Sequence, residues 1–264
     1  MRLSKEAAIN TPKKHLEKSI ELNPDYVDAH YELALLLKEE GDLAEAQNQL
    51  LKVIEVEADH TEAHFQLAMI LQMEGDLEAA KSKFQRALDL NPNHAEAHYY
   101  FALLLEDQAE YIEARNHLEK TTDIDENFTQ AYYRRARLLT GPDDYELAKQ
   151  NYQMAIDIDP GFTHIHYYLG KLLAGGRRIN QDGTAVVEPE DELAAVHFRE
   201  AIKLEPEHAK AHYNLAKILV KQKQYEQAEE HFSEALELNP RYAKAHFHMA
   251  LLMIEMKQNE PEGG

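Results

Sequence analysis

The 264-residue chain contains no cysteine and no tryptophan. Without thiols it can form no disulfide, bind no zinc through sulfur and use no thiolate nucleophile. Basic residues are the minority, 28 Lys and Arg against 48 Asp and Glu, for a formal net charge of -20. Such an excess of acid works against polyanion binding, which draws its affinity from cations releasing counterions. Nucleic acid and anionic membrane surfaces are therefore excluded as first expectations. No apolar run approaches the roughly 18 residues a membrane span needs, and the start, MRLSKEAAIN, carries no signal-peptide stretch. Serine is sparse: Ser4, Ser19, Ser82 and Ser233 each sit in an ordinary helical or terminal context, without the neighbouring base a nucleophile requires. The expectation is a soluble, acidic, folded protein that is not an enzyme and holds no cofactor. Its compartment stays unknown, and processed export remains open.

What is present is repetition. VDAHYELALLLKEEGDLAEAQNQLLKVIEVEADH (27–60) is followed without a gap by TEAHFQLAMILQMEGDLEAAKSKFQRALDLNPNH (61–94). The same frame continues through 95–128, 129–162, 163–208 and 209–242. Apolar residues recur at helical spacing in two blocks per unit, as in Leu33, Ala34, Leu36 and Leu37, then Ala46, Leu50, Val53 and Ile54. Each unit is thus predicted to be a hairpin of two amphipathic helices. Thr11-Pro12 is the predicted start of a helix matching a second helix of the frame, inside an amino-terminal segment 1–26. Residues 243–264 supply an unpaired first helix and a tail.

A small residue recurs in the first helix, at Ala34, Ala68, Ala102, Ala136, Gly170, Ala216 and Ala250. An alanine opens the second, at Ala46, Ala80, Ala114, Ala148, Ala194 and Ala228. A large apolar residue follows one turn later, and most units close on a proline. This pattern resembles the tetratricopeptide repeat (TPR) family over nearly the whole chain. The resemblance implies an all-α, right-handed superhelical solenoid of six full repeats with a half repeat at each end. It also implies a protein-interaction scaffold with a concave groove.

By the same resemblance, the concave wall carries an aromatic row of Tyr31, Phe65, Tyr99, Tyr133, Tyr167, Tyr213 and Phe247. Acidic residues flank it in the amino-terminal half (Asp28, Glu32, Glu39, Glu62, Glu96, Glu106, Asp107) and basic ones in the other (Arg134, Arg137, Lys171, Lys210, Lys217, Lys221, Lys244). Complementary fields of this kind orient a partner. The implied partner is a peptide or helix of another protein. The chaperone-tail clamp matches only scattered lysines, and an asparagine ladder is absent. Six histidines share one first-helix place, His30, His64, His98, His166, His212 and His246, with Tyr132 in the seventh. They read as packing residues whose protonation should loosen the array between about pH 7 and 5. No third ligand accompanies them, so no metal is expected.

Two further expectations concern particular segments. The insertion at about 175–189 contains Asp182-Gly183 between short apolar stretches, a β-hairpin signal. The last helix is unusually apolar, which raises an alternative: self-assembly head to tail into a filament. Leu16 and Ile20 of one subunit would then meet Met249, Met253, Ile254 and Met256 of the next, completing a repeat across the junction.

Overall fold

In the computed structural model, residues 2–140, 144–175 and 189–259 are described, with side chains from Pro12 to Gln258. The described residues are all-helical, without a strand. The expected β-hairpin lies outside them. The chain divides into two compact units, residues 1–126 and 127–264.

The first unit holds α1 (Arg2–Leu22), α2 (Val27–Glu40), α3 (Leu43–Val56), α4 (Thr61–Glu74), α5 (Leu77–Leu90), α6 (Ala95–Asp107) and α7 (Tyr111–Ile124). Helices pack in hairpins, α2 on α3, α4 on α5 and α6 on α7, and successive hairpins stack through α3 on α4 and α5 on α6. Asp42 and Asp76 explain where second helices begin: their carboxylates accept the Glu45 and Ala79 amides. Gly41 and Gly75 explain where first helices stop. Both adopt φ of 86°, a left-handed backbone that costs glycine nothing and lets the chain reverse.

One boundary differs from the sequence expectation. Instead of starting at Thr11-Pro12, α1 begins at Arg2 and runs through Pro12. The residues ahead of the proline, Lys5-Glu6-Ala7-Ala8, are strong helix formers. They carry the helix back past a residue that removes only one hydrogen bond.

The second unit holds α8 (Thr129–Leu138), α9 (Tyr145–Ile158), α10 (Thr163–Gly175), α11 (Asp191–Leu204), α12 (Ala209–Lys221), α13 (Tyr225–Leu238) and α14 (Ala243–Asn259). Here α8 packs on α9, α10 on α11 and α12 on α13, and stacking proceeds through α9 on α10, α11 on α12 and α13 on α14.

Small residues bring these helices together. Ala34, Ala68, Ala102, Ala136 and Ala216 of first helices are buried, as are Ala46, Ala80, Ala114, Ala148, Ala194 and Ala228 of second helices. Buried with them are Leu50, Phe84, Leu118, Tyr152, Phe198 and Phe232. Gly170 shows how tight the approach can be. A Cβ there would stand 2.9 Å from the Phe198 ring, so the glycine lets that ring lie on the α10 backbone. None of the described helices is long and apolar enough to cross a membrane.

Candidate functional site

The aromatic row proves to be mostly internal. Phe65, Tyr99, Tyr133, Tyr167 and Tyr213 are buried, Tyr31 is half-buried and Phe247 is exposed. Five of these rings, within the two units, meet the residue that opens the next first helix. The centroid distances are 5.1 Å for Tyr31–His60, 4.9 Å for Phe65–His94, 5.3 Å for Tyr133–Phe162, 4.6 Å for Tyr167–His208 and 4.8 Å for Tyr213–Tyr242. The row is therefore mortar between successive hairpins. Over the buried rings a partner can touch only outer edges and the side chains standing over them, whereas Phe247 is open to solvent.

Those side chains differ between the units. In the second, the Arg137 guanidinium lies 5.6 Å from the Tyr133 ring and 5.3 Å from the Tyr168 ring. The Lys171 ammonium lies 5.8 Å from Tyr167 and 5.5 Å from Tyr168, and Lys217 lies 5.6 Å from Tyr213. Burial pushes the Tyr167 phenol up to about 12, so it stays a neutral donor under the cations. Arg134 is half-buried, while Lys210 and Lys244 are exposed. In the first unit Asp28, Glu32 and Glu96 are exposed, and a Glu62 carboxylate oxygen lies 2.8 Å from His94 Nε2. Sequence reasoning missed Tyr168, whose ring lies between two cations. Its only signal was that it departs from asparagine at the ladder position.

The histidine row is the other cluster of polar groups. His30, His64, His98, His166 and His212 are buried, whereas His246 is exposed. In each but His64 the Nε2 lies 2.8 to 3.2 Å from the carbonyl of the preceding proline, at Pro24, Pro92, Pro160, Pro206 and Pro240. In His64 the same nitrogen meets the Ala58 carbonyl.

Three of the row face a second histidine through Nδ1. The pairs are His98–His117 at 2.8 Å, His166–His197 at 3.1 Å and His212–His231 at 3.0 Å. Because the first ring donates its Nε2–H to a carbonyl, its Nδ1 accepts, and the second ring donates its Nδ1–H. Protonating both rings would set two N–H groups head to head. Burial, reinforced by the paired ring, pushes both His117 and His197 down to about 4. At these two partner rings stability is therefore lost between about pH 6.5 and 4, a window that extends lower than the expected 7 to 5. His60, His94 and His208 have another duty, accepting the Ala63, Ala97 and Ala211 amides as helix caps. Among the described residues no three of His, Asp and Glu gather in an arrangement that could hold a metal ion.

At the proposed ends, Leu16 and Ile20 are half-buried. Met249 and Met256 turn toward the core of the second unit. Met253 and Ile254 remain 51% and 55% exposed, beside Phe247 and Leu251.

Stacked helical hairpins joined by small residues, with differing side chains along their first helices, define a repeat scaffold. Sequence models of the tetratricopeptide repeat match residues 15–48, 129–162 and 209–242. A model of anaphase-promoting complex, cyclosome, subunit 3 matches residues 50–121. The chain is a tetratricopeptide-repeat protein.

No curated protein matches it in sequence. Among solved structures it resembles YrrB, described as a TPR protein with an unusual peptide-binding site, at 22% identity and a TM-score of 0.63. That likeness covers 75% of this chain and 96% of YrrB. It also resembles Pseudomonas aeruginosa PilF, at 17% identity and a TM-score of 0.67, over 85% of this chain and 96% of that one. MamA from Desulfovibrio magneticus aligns at 21% identity and a TM-score of 0.57, over 69% and 96%. These likenesses are of fold. None of the matched family models describes a catalytic domain.

Proposed function

We propose that this protein is a non-enzymatic scaffold that holds a peptide or helix of another protein against its first helices. The observation that carries the reading is a division of labour within each hairpin. Residues that pack are nearly constant from one hairpin to the next. The places on the outer edge of the first helices run Glu32, Gln66, Tyr100, Arg134, Tyr168 and Asn214, all at least partly accessible. A fold that needed only to stack would gain nothing from such variety. The peptide-binding site named for YrrB supports the same reading by analogy of fold.

A photo-crosslinking residue placed at Tyr100 or Tyr168 should trap a defined partner. The same residue at Gln85 or Arg199, on exposed faces of second helices, should not. Equal trapping at all four places would overturn the reading.

A second reading is favoured by one observation. Phe247, Leu251 and Ile254 form an exposed apolar face on α14 that could receive α1 of another copy. End-to-end contacts would then build a homo-oligomer or filament. Sedimentation velocity of the full chain and of one lacking residues 1–24 separates the two readings. Assembly lost on truncation supports the filament, and identical monomers refute it.

A further inference from the structure

This inference rests on the scaffold reading and narrows it to one unit and one partner chemistry. Nine residues into their first helices, three hairpins of the first unit carry Leu35, Met69 and Leu103. The same place carries Arg137, Lys171 and Lys217 in the three hairpins of the second unit, and Leu251 in its unpaired α14. The fold accepts an apolar residue at this position, so the three cations answer a different need.

Their surroundings favour an anion. Lys171 is exposed, and neither it nor Lys217 has an ion-pair partner among the described residues. Each cation stands over a tyrosine face, which holds it in place without neutralising it. Tyr168 links two helices by lying between Arg137 of α8 and Lys171 of α10. Around Lys217 the charge is crowded. Burial first, then Lys221 and Lys244, push its ammonium below the usual lysine range, opposed only by Asp191. Asp191 is itself engaged by Lys221 at 2.9 Å. The result is a line of cations on tyrosine rings along a chain whose net charge is -20.

We propose that the first helices of the second unit bind an extended acidic protein segment, its carboxylates taken in turn by Arg137, Lys171 and Lys217. Tyrosine faces between the cations offer surface for apolar or aromatic groups set between those carboxylates. A nucleic acid would meet the same cations, but its dense phosphates would also meet the 48 carboxylates of the chain. A short acidic peptide engages the local field alone.

The test is fluorescence anisotropy of the full chain with a fluorescein-labelled dodecapeptide of alternating Glu and Phe. A Lys–Phe counterpart and a twelve-nucleotide oligothymidine serve as comparison probes. The acidic peptide should bind, and more weakly as salt rises. The R137Q/K171Q/K217Q variant should bind at least about tenfold less tightly, while R137K/K171R/K217R stays within about threefold. Circular dichroism reports whether each variant is folded. If the triple variant is not, Lys171→Gln alone, at an exposed place, should still weaken binding several-fold. No binding of the acidic peptide by the unaltered chain, binding indifferent to these substitutions, or tighter binding of the oligonucleotide would each overturn the proposal. Continued trapping of a partner through Tyr168 alongside such a failure would sink this inference and leave the broader scaffold reading standing.

Discussion

The paired histidines show how a single residue type acquires different roles from its surroundings. His60, His94 and His208 cap helices, whereas His98, His166 and His212 each share one proton with a partner ring. His117 and His197 are held at about 4, below the ordinary 6.5. Above pH 6.5 both folded and unfolded chains are neutral at these sites, and stability should be flat. As pH falls from 6.5 toward 4, the unfolded chain binds protons that the folded pairs refuse, so stability falls. Melting midpoints across this range should decline for the natural chain. They should decline less for H117Q/H197Q/H231Q, which places at each pair the glutamine already found at Gln49. A second residue-scale expectation concerns Phe84, which is fully buried between hairpins. Phe84→Ala should cost about 3–5 kcal/mol in denaturant unfolding, through lost transfer energy and the cavity left behind.

At the scale of elements, ends matter more than middles. Two first helices of the first unit stop at Gly41 and Gly75, but after the third Ala109, and after α12 Lys223, take the equivalent left-handed conformation, with φ of 61° and 58°. A side chain there crowds the following carbonyl, at a cost of roughly 1–2 kcal/mol. Lys223→Gly should therefore raise stability by about 0.5–1 kcal/mol once the greater freedom of the unfolded glycine is deducted. Equilibrium urea unfolding reads this directly. No change would mean that the turn after α12 relaxes without strain. The second helices depend on their caps in the same way, as the Asp42 and Asp76 carboxylates show.

For the whole molecule the dominant quantity is charge. A net charge of -20 makes the folded chain repel itself, and mobile ions screen that repulsion. Raising sodium chloride from about 0.05 to 0.5 M should raise the melting midpoint at neutral pH. The same change should weaken the proposed acidic-peptide complex, because there salt screens an attraction. Opposite responses of folding and binding to one variable would place the two effects in different parts of the charge distribution. A melting midpoint that falls with salt would show that local ion pairs such as Lys81–Glu110 and Lys149–Glu190 outweigh the net repulsion.

The sequence by itself determined the helical class and the repeat family. Both follow from periodic placement of small and apolar residues, a one-dimensional pattern that local sterics convert into helices and close helix contacts. Ala80 and Phe84 announce their burial by position alone. Tertiary structure decided what the remaining side chains face. Tyr133, Tyr167 and Tyr213 looked like a lining and proved to be mortar, because each ring reaches the start of the next first helix rather than open solvent. Tyr168 looked like a departure from a ladder and lies between two cations. His117, His197 and His231 carried no signal in the linear pattern, since each pairing joins residues 19 or 31 apart on two different helices. A repeat period records which residues the backbone brings together. Which of them exchange a proton, shield a charge or leave one free depends on distances that only the packed helices set.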